Sequence, residues 1–157
     1  MGYTHYLYRK PELRVSDFTA FTAEARTLLR NIDAMLVRDH GAGLAGPLGT
    51  GPVIVTDERV SFNGAEPSDY ETCHIERAVA ADDYRRGDPD DGGRVFSFCK
   101  TAEKPYDAAV TAIYALAIDH FGADVAVDSD GGAEAIETGH LLASKLLGRT
   151  LRGATHP

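Results

Sequence analysis

The chain has 157 residues, of which 43% are hydrophobic and 25% charged, and a formal net charge of −8. Such a length suits one globular domain over 1–157, burying roughly two-thirds of its unfolded surface. The negative balance excludes non-specific nucleic acid or an anionic membrane as the main partner, and no apolar run approaches the roughly 18 residues of a spanning helix.

No apolar signal segment opens the sequence, and both cysteines, Cys73 and Cys99, lie in strand-like stretches. The expectation is a cytoplasmic protein with two buried thiols rather than a disulfide.

Residues 3–9 are rich in aromatic and β-branched types and predict an opening strand. Alternation puts Tyr3, His5, Leu7 and Arg9 on one face and Thr4, Tyr6 and Tyr8 on the other. One face is a candidate lining for a ligand cleft, with rings available for stacking. Pro11 ends the strand, and Ser16 is a candidate N-cap for a first helix. Apolar Phe18, Phe21, Ala25, Leu28, Leu29, Ile32, Met35 and Leu36 recur with a 3.6-residue period, as a core-packing helix requires.

Glycine and proline dominate 41–52, which lacks the lysine and hydroxyl of a phosphate loop and predicts a flexible connection. Residues 53–55 and 60–62 flank a turn and read as a hairpin, closed by Asn63-Gly64; another strand is expected over 71–77. His74, between Glu71 and Glu76, is an acid/base candidate, although a solvated strand face gives the same letters. Acidic, glycine-rich 81–93 predicts a second surface loop.

A strand over 94–99 leads through a turn to a helix opened by Pro105, with Asp107 in its first turn and Gly122 at its end. A short strand over 125–127 follows, then a last helix over 133–147 with Asp130 as candidate N-cap, and a frayed tail after Thr150. This order predicts an α+β fold, a mostly antiparallel sheet packed with about three helices. If the strands at 94–99 and 125–127 are parallel neighbours, the helix between them makes a right-handed crossover.

Lys100, Thr101 and Lys104 stand where strand turns into helix. Free N–H groups and two ammonium groups converging there would hold a phosphate or carboxylate. Asp124, Asp128, Asp130, Glu134 and Glu137 group hard oxygen donors that could hold Mg²⁺ or Ca²⁺, though their spacing does not match a calcium loop and Asp130 and Glu134 suit the last helix without an ion. No His-x-x-x-His pair or Cys-x-x-Cys motif is present, and neither a metal nor a cofactor is assigned. Among the six histidines His5 stands out, because it shares its strand with three tyrosines.

The opening Met1-Gly2-Tyr3-Thr4-His5-Tyr6 and the segment Phe98-Cys99-Lys100-Thr101-Ala102-Glu103-Lys104-Pro105-Tyr106-Asp107 resemble a family of small bacterial and bacteriophage proteins. Ser61-Phe62-Asn63-Gly64, Glu71-Thr72, His120-Phe121-Gly122 and Ser129-Asp130-Gly131 are similar to further stretches of it. The resemblance implies a setting and no reaction. It ties the lysine-bearing turn and the aromatic strand to one site, and a phage setting implies sequestration of a host defence signal.

The expected function is non-enzymatic binding of a small anionic, phosphate- or nucleotide-containing ligand by Lys100, Thr101, Lys104, Tyr106, Tyr3, His5, Tyr6 and Tyr8. The alternatives are an enzyme acting on a nucleotide or phosphorylated substrate, with His5 or His74 as base, and an acidic protein-interaction module or inhibitor. A homo-oligomer stays open.

Overall fold

The protein, described here from a computed structural model, is defined over residues 3–80, 82–83 and 93–153. In chain order it runs β1 (Thr4–Arg9), α1 (Val15–His40), β2 (Leu44–Ala45), β3 (Ile54–Val55), β4 (Arg59–Gly64), β5 (Cys73–Glu76), β6 (Val95–Lys100), α2 (Asp107–Phe121), β7 (Val125–Ser129) and α3 (Gly132–Leu147). Two antiparallel sheets and three helices make it an α+β fold. Most of the predicted 81–93 loop lies outside the described residues.

β1 is the middle strand of the first sheet, antiparallel to β6 on one side and to β7 on the other. β6 and β7 therefore run parallel but are not neighbours: β1 lies between them, so the expected adjacent crossover is replaced by one that spans a strand. Helices α2 and α3 pack on one face of this sheet. In the second sheet β4 pairs with β2, β3 and β5, and the predicted hairpin is present as β3–β4, with Ile54 opposite Ser61 and Val55 opposite Val60.

The apolar period of α1 is realised as buried Phe18, Phe21, Ala25, Leu28, Leu29, Ile32 and Leu36. The helix starts at Val15, with Arg14 in the N-cap position and no side-chain cap, so Ser16 lies inside it. α2 is apolar on nearly every side because α1, α3 and the first sheet all surround it. α2 and α3 meet backbone to backbone: a Cβ at Gly139 would lie 2.4 Å from the Thr111 carbonyl oxygen.

Several local expectations change. The 41–52 stretch contains β2 and a short 3-10 turn at Pro47–Gly49. Asn63-Gly64 belongs to β4 instead of closing it; the fully buried Asn63 amide accepts from Tyr70 N–H at 3.0 Å and donates to Tyr70 O at 3.0 Å. Leu151 is buried and its N–H donates to Ser144 Oγ at 3.1 Å, so the fold continues past Thr150; residues 154–157 lie outside the described residues. Cys73 and Cys99 are both buried free thiols, and the Cys73 thiol is pushed well up by its hydrogen bond to Cys99 and by burial.

Candidate functional site

Three segments that the sequence singles out meet at one end of the first sheet. Register places Thr4 opposite Lys100 and His5 opposite Ser129, so the start of β1 touches the ends of β6 and β7. Directly opposed residues in an antiparallel pair point to the same side. His5, Leu7, Arg9, Val125, Val127 and Ser129 thus share the helix-packed face, and all are buried. Thr4, Tyr6, Tyr8, Phe96, Phe98 and Lys100 share the other. The alternation expected for β1 holds residue by residue.

On the packed face, His5 lies between two side chains. Its Nδ1 is 2.8 Å from Ser129 Oγ and its Nε2 is 2.5 Å from Asp107 Oδ1. Thr101, fully buried, donates to the same Asp107 oxygen at 2.5 Å. Gly131 N–H donates to Ser129 Oγ at 3.0 Å. A carboxylate only accepts, so Nε2 carries a proton toward Asp107, while the Ser129 hydroxyl, already accepting from Gly131, has its own proton for Nδ1. Tyr3 closes the group from outside, its ring edge-on to His5 at 5.2 Å. Burial and then the Asp107 charge push the Tyr3 hydroxyl above its usual range, and that hydroxyl lies in hydrogen-bond reach of Ser129.

The turn from β6 into α2 is bent to fit this arrangement. Ala102 and Glu103 both have positive φ, 51° and 57°, a left-handed conformation that costs a non-glycine residue on the order of 1 kcal/mol. Thr101 and Ala102 N–H groups both reach Tyr3 O, at 2.9 and 3.3 Å, and Lys104 N–H closes on Thr101 O at 3.0 Å. These bonds hold Thr101 against Asp107. They also alter the expected helix mouth. α2 begins at Asp107 and not Pro105, and the N–H groups of Asp107, Ala109 and Val110 donate to Lys104 O and Tyr106 O. The start of α2 is closed by its own turn, so it offers no cradle of free donors.

The outer face differs in chemistry. Phe96 is its hub, with ring centroids 6.0 Å from Tyr6, 5.4 Å from Tyr8 and 5.7 Å from Phe98. Phe98 is 46% exposed. Lys100 follows two residues later on the same face, roughly 7 Å along the strand; its ammonium and that of Lys104 have no ion pair among the described residues. At the β7 edge, Asp130 accepts from Tyr6 Oη at 2.9 Å and from Thr4 N–H at 3.0 Å. Asp130 thus pins β1 in place of capping α3, whose N-cap residue is Gly131. Beside β6 runs an open groove of about 600 Å³ lined by Tyr70, Glu71, Thr72, His74, Ser97 and Phe98, with Leu48 and Asp83 at its rim.

The predicted site residues therefore divide. Lys100, Tyr6 and Tyr8 share the outer face, with Lys100 opposite Thr4 and Tyr8 four residues farther along the pair; Tyr3, His5 and Thr101 meet on the inner one; Lys104 sits half-buried in the turn. Tyr106 joins neither. It is buried, with its hydroxyl donating to Glu71 O at 2.6 Å. His74, exposed, pairs with half-buried Glu76 at 2.7 Å on the face of β5 opposite buried Cys73 and Ile75. Sequence reasoning missed Ser129 and Asp107 as partners of His5, and Phe96, Phe98 and Tyr70 as exposed rings. The Phe96/Phe98 alternation carried the second signal; nothing local links residues 5, 107 and 129. No protein-family model matches the chain, and neither a curated protein nor a solved structure matches it.

Proposed function

We propose that this protein binds a small anionic ligand carrying a flat ring, of the nucleotide class, on the outer face of the first sheet. The observation that supports the reading is the run Phe96–Phe98–Lys100: stackable, exposed rings followed on the same face by an ammonium with no ion pair among the described residues. A ring inserted between Phe98 and Tyr70 would gain about 1–3 kcal/mol per stacking contact. The phosphate would then reach Lys100, a charge-assisted bond about twice as strong as a neutral one. Glu71 in the adjacent groove spends Oε1 on Lys100 N–H and keeps its other carboxylate oxygen as an acceptor for a sugar hydroxyl. The overall charge of −8 fits a small ligand better than a polyanion, because a long anion would meet the net negative field of the chain beyond the lysine.

Isothermal titration with nucleoside mono-, di- and cyclic phosphates tests the reading. Saturable heat is expected, weakened at least tenfold by Phe98→Ala and by Lys100→Ala. A panel that gives no heat, or affinity indifferent to both substitutions, overturns it.

A further inference from the structure

We infer that Ser129, His5 and Asp107 form a nucleophilic site for hydrolysis of a small, uncharged carboxylic ester, separate from the outer-face ligand surface. With His5 neutral the hydrogen bonds run one way: Gly131 N–H to Ser129 Oγ, Ser129 hydroxyl to His5 Nδ1, His5 Nε2–H to Asp107. That is an activated hydroxyl, a base and a group that orients the base, at 2.8 and 2.5 Å. A buried histidine needs partners, but backbone carbonyls would serve, as they do for Arg9; here both partners are side chains and one is a nucleophile.

Ser129 lies at the end of β7, two residues before the N-cap of α3, and no side chain caps that helix. Gly131 N–H, 3.0 Å from Ser129 Oγ, is the backbone donor that stands beside the position of an oxyanion formed on the acylated serine. The substrate class follows from surroundings. Ser129 is only 8% exposed and His5 1%, so a bulky acyl group is excluded and the proposed substrate is a small one. Asp107, 2.5 Å from His5, and Asp130, bonded to Thr4 N–H at 3.0 Å, put two carboxylates beside the site, which disfavours a phosphorylated or carboxylate-bearing substrate here.

In the acylation step the Ser129 Oγ lone pair attacks the ester carbonyl carbon while its proton moves to His5 Nδ1. Collapse of the tetrahedral adduct breaks the bond to the alkoxy oxygen, which leaves with that proton as the alcohol. Water then attacks the acyl-serine, its proton passes to Nδ1 and on to Ser129 Oγ, and the carboxylic acid departs. Asp107 is a positioning residue, as is Thr101, which holds the Asp107 carboxylate.

The test uses the full chain with phenylmethanesulfonyl fluoride, followed by intact mass and peptide mapping, and with p-nitrophenyl acetate. One adduct on Ser129 is expected, absent in Ser129→Ala, with a labelling rate at least about 100-fold lower in His5→Gln. Asp107→Asn is expected to lower kcat for the acetate ester while leaving KM unchanged. Circular dichroism and thermal melting establish that each variant is folded. Folded wild-type protein that stays unlabelled overturns the inference without any variant, and so does ester turnover that survives Ser129→Ala.

Discussion

His5 and Arg9 sit four residues apart on the same face of β1, both 1% exposed, and they are held by opposite means. Arg9 is tied mainly to main chain: it donates to Glu76 O, to Arg77 O at 2.9 Å and to Lys10 O at 3.0 Å, with the Glu76 carboxylate 3.8 Å away. His5 is tied to side chains alone, Ser129 and Asp107. A guanidinium that never loses its proton, bonded to carbonyls that cannot change, is a brace between the two sheets. An imidazole between a hydroxyl and a carboxylate has groups on both sides that can exchange protons. Equal burial on one strand face thus yields a structural post at one end and a chemically competent cluster at the other.

The largest effect should come from breaking the brace. Arg9→Met removes the donors from the Glu76, Arg77 and Lys10 carbonyls and leaves Glu76 beside an apolar chain. A loss of about 3–5 kcal/mol is expected in urea denaturation, as for other broken buried pairs. His5→Gln should cost less, about 1–3 kcal/mol, because Ser129 and Asp107 lose one partner each but Gly131 N–H and Thr101 still serve them. If the two losses were equal, the distinction between post and cluster would fail.

A third polar group joins the three helices and sharpens the contrast, since it is a brace built from titrating partners. Arg149 bonds Glu24 Oε1 and Oε2 at 2.5 and 2.9 Å and Asp119 Oδ2 at 2.6 Å, while His120 reaches Glu24 at 2.7 Å. Hydrogen bonding from Arg149 holds the Glu24 carboxyl below its ordinary 4.5. For Asp119 burial pushes upward, but the bonds from Arg149 and Arg152 N–H outweigh it and the net shift is below 3.8. Depressed carboxyls contribute stability that is whole above those ordinary values and is lost as pH falls through the lower folded-state ones. The acid limb of a stability–pH curve should therefore begin below about pH 4.5 and flatten in the Glu24→Gln/Asp119→Asn double variant.

Much of this arrangement was legible in the sequence, and the limits have physical causes. Period-two alternation in β1 and period-3.6 in α1 depend on local geometry, so the two faces of β1 and the α1 core stripe were readable from spacing alone. Helix starts were not. Ser16 and Asp130 have the right side chains for capping, but α1 starts one residue before Ser16, and Asp130 is drawn to Thr4 N–H and Tyr6 Oη instead. The lysine turn was found, yet its two left-handed residues and the closing of the α2 mouth depend on Tyr3 O, almost a hundred residues away in the chain. The Ser129–His5–Asp107 contacts are equally non-local. The β1–β7 pairing sets Ser129 beside His5, and the turn after β6 brings Asp107 to the other side of the ring.

The smallest stability effect belongs to Phe98, and it is the most informative about the outer face. Its ring is 46% exposed and packs against Phe96 alone among the aromatic contacts of the sheet. Truncation to alanine removes little buried area, so unfolding free energy should change by no more than about 0.5 kcal/mol, as for most exposed substitutions. A ring kept exposed on a folded sheet is stabilised by something other than the core. If Phe98→Ala leaves stability untouched and abolishes nucleotide binding, the outer face is a ligand surface in the sense that β1's inner face is not. If instead it costs 2 kcal/mol or more, the aromatic row is core that happens to border solvent, and the asymmetry between the faces disappears.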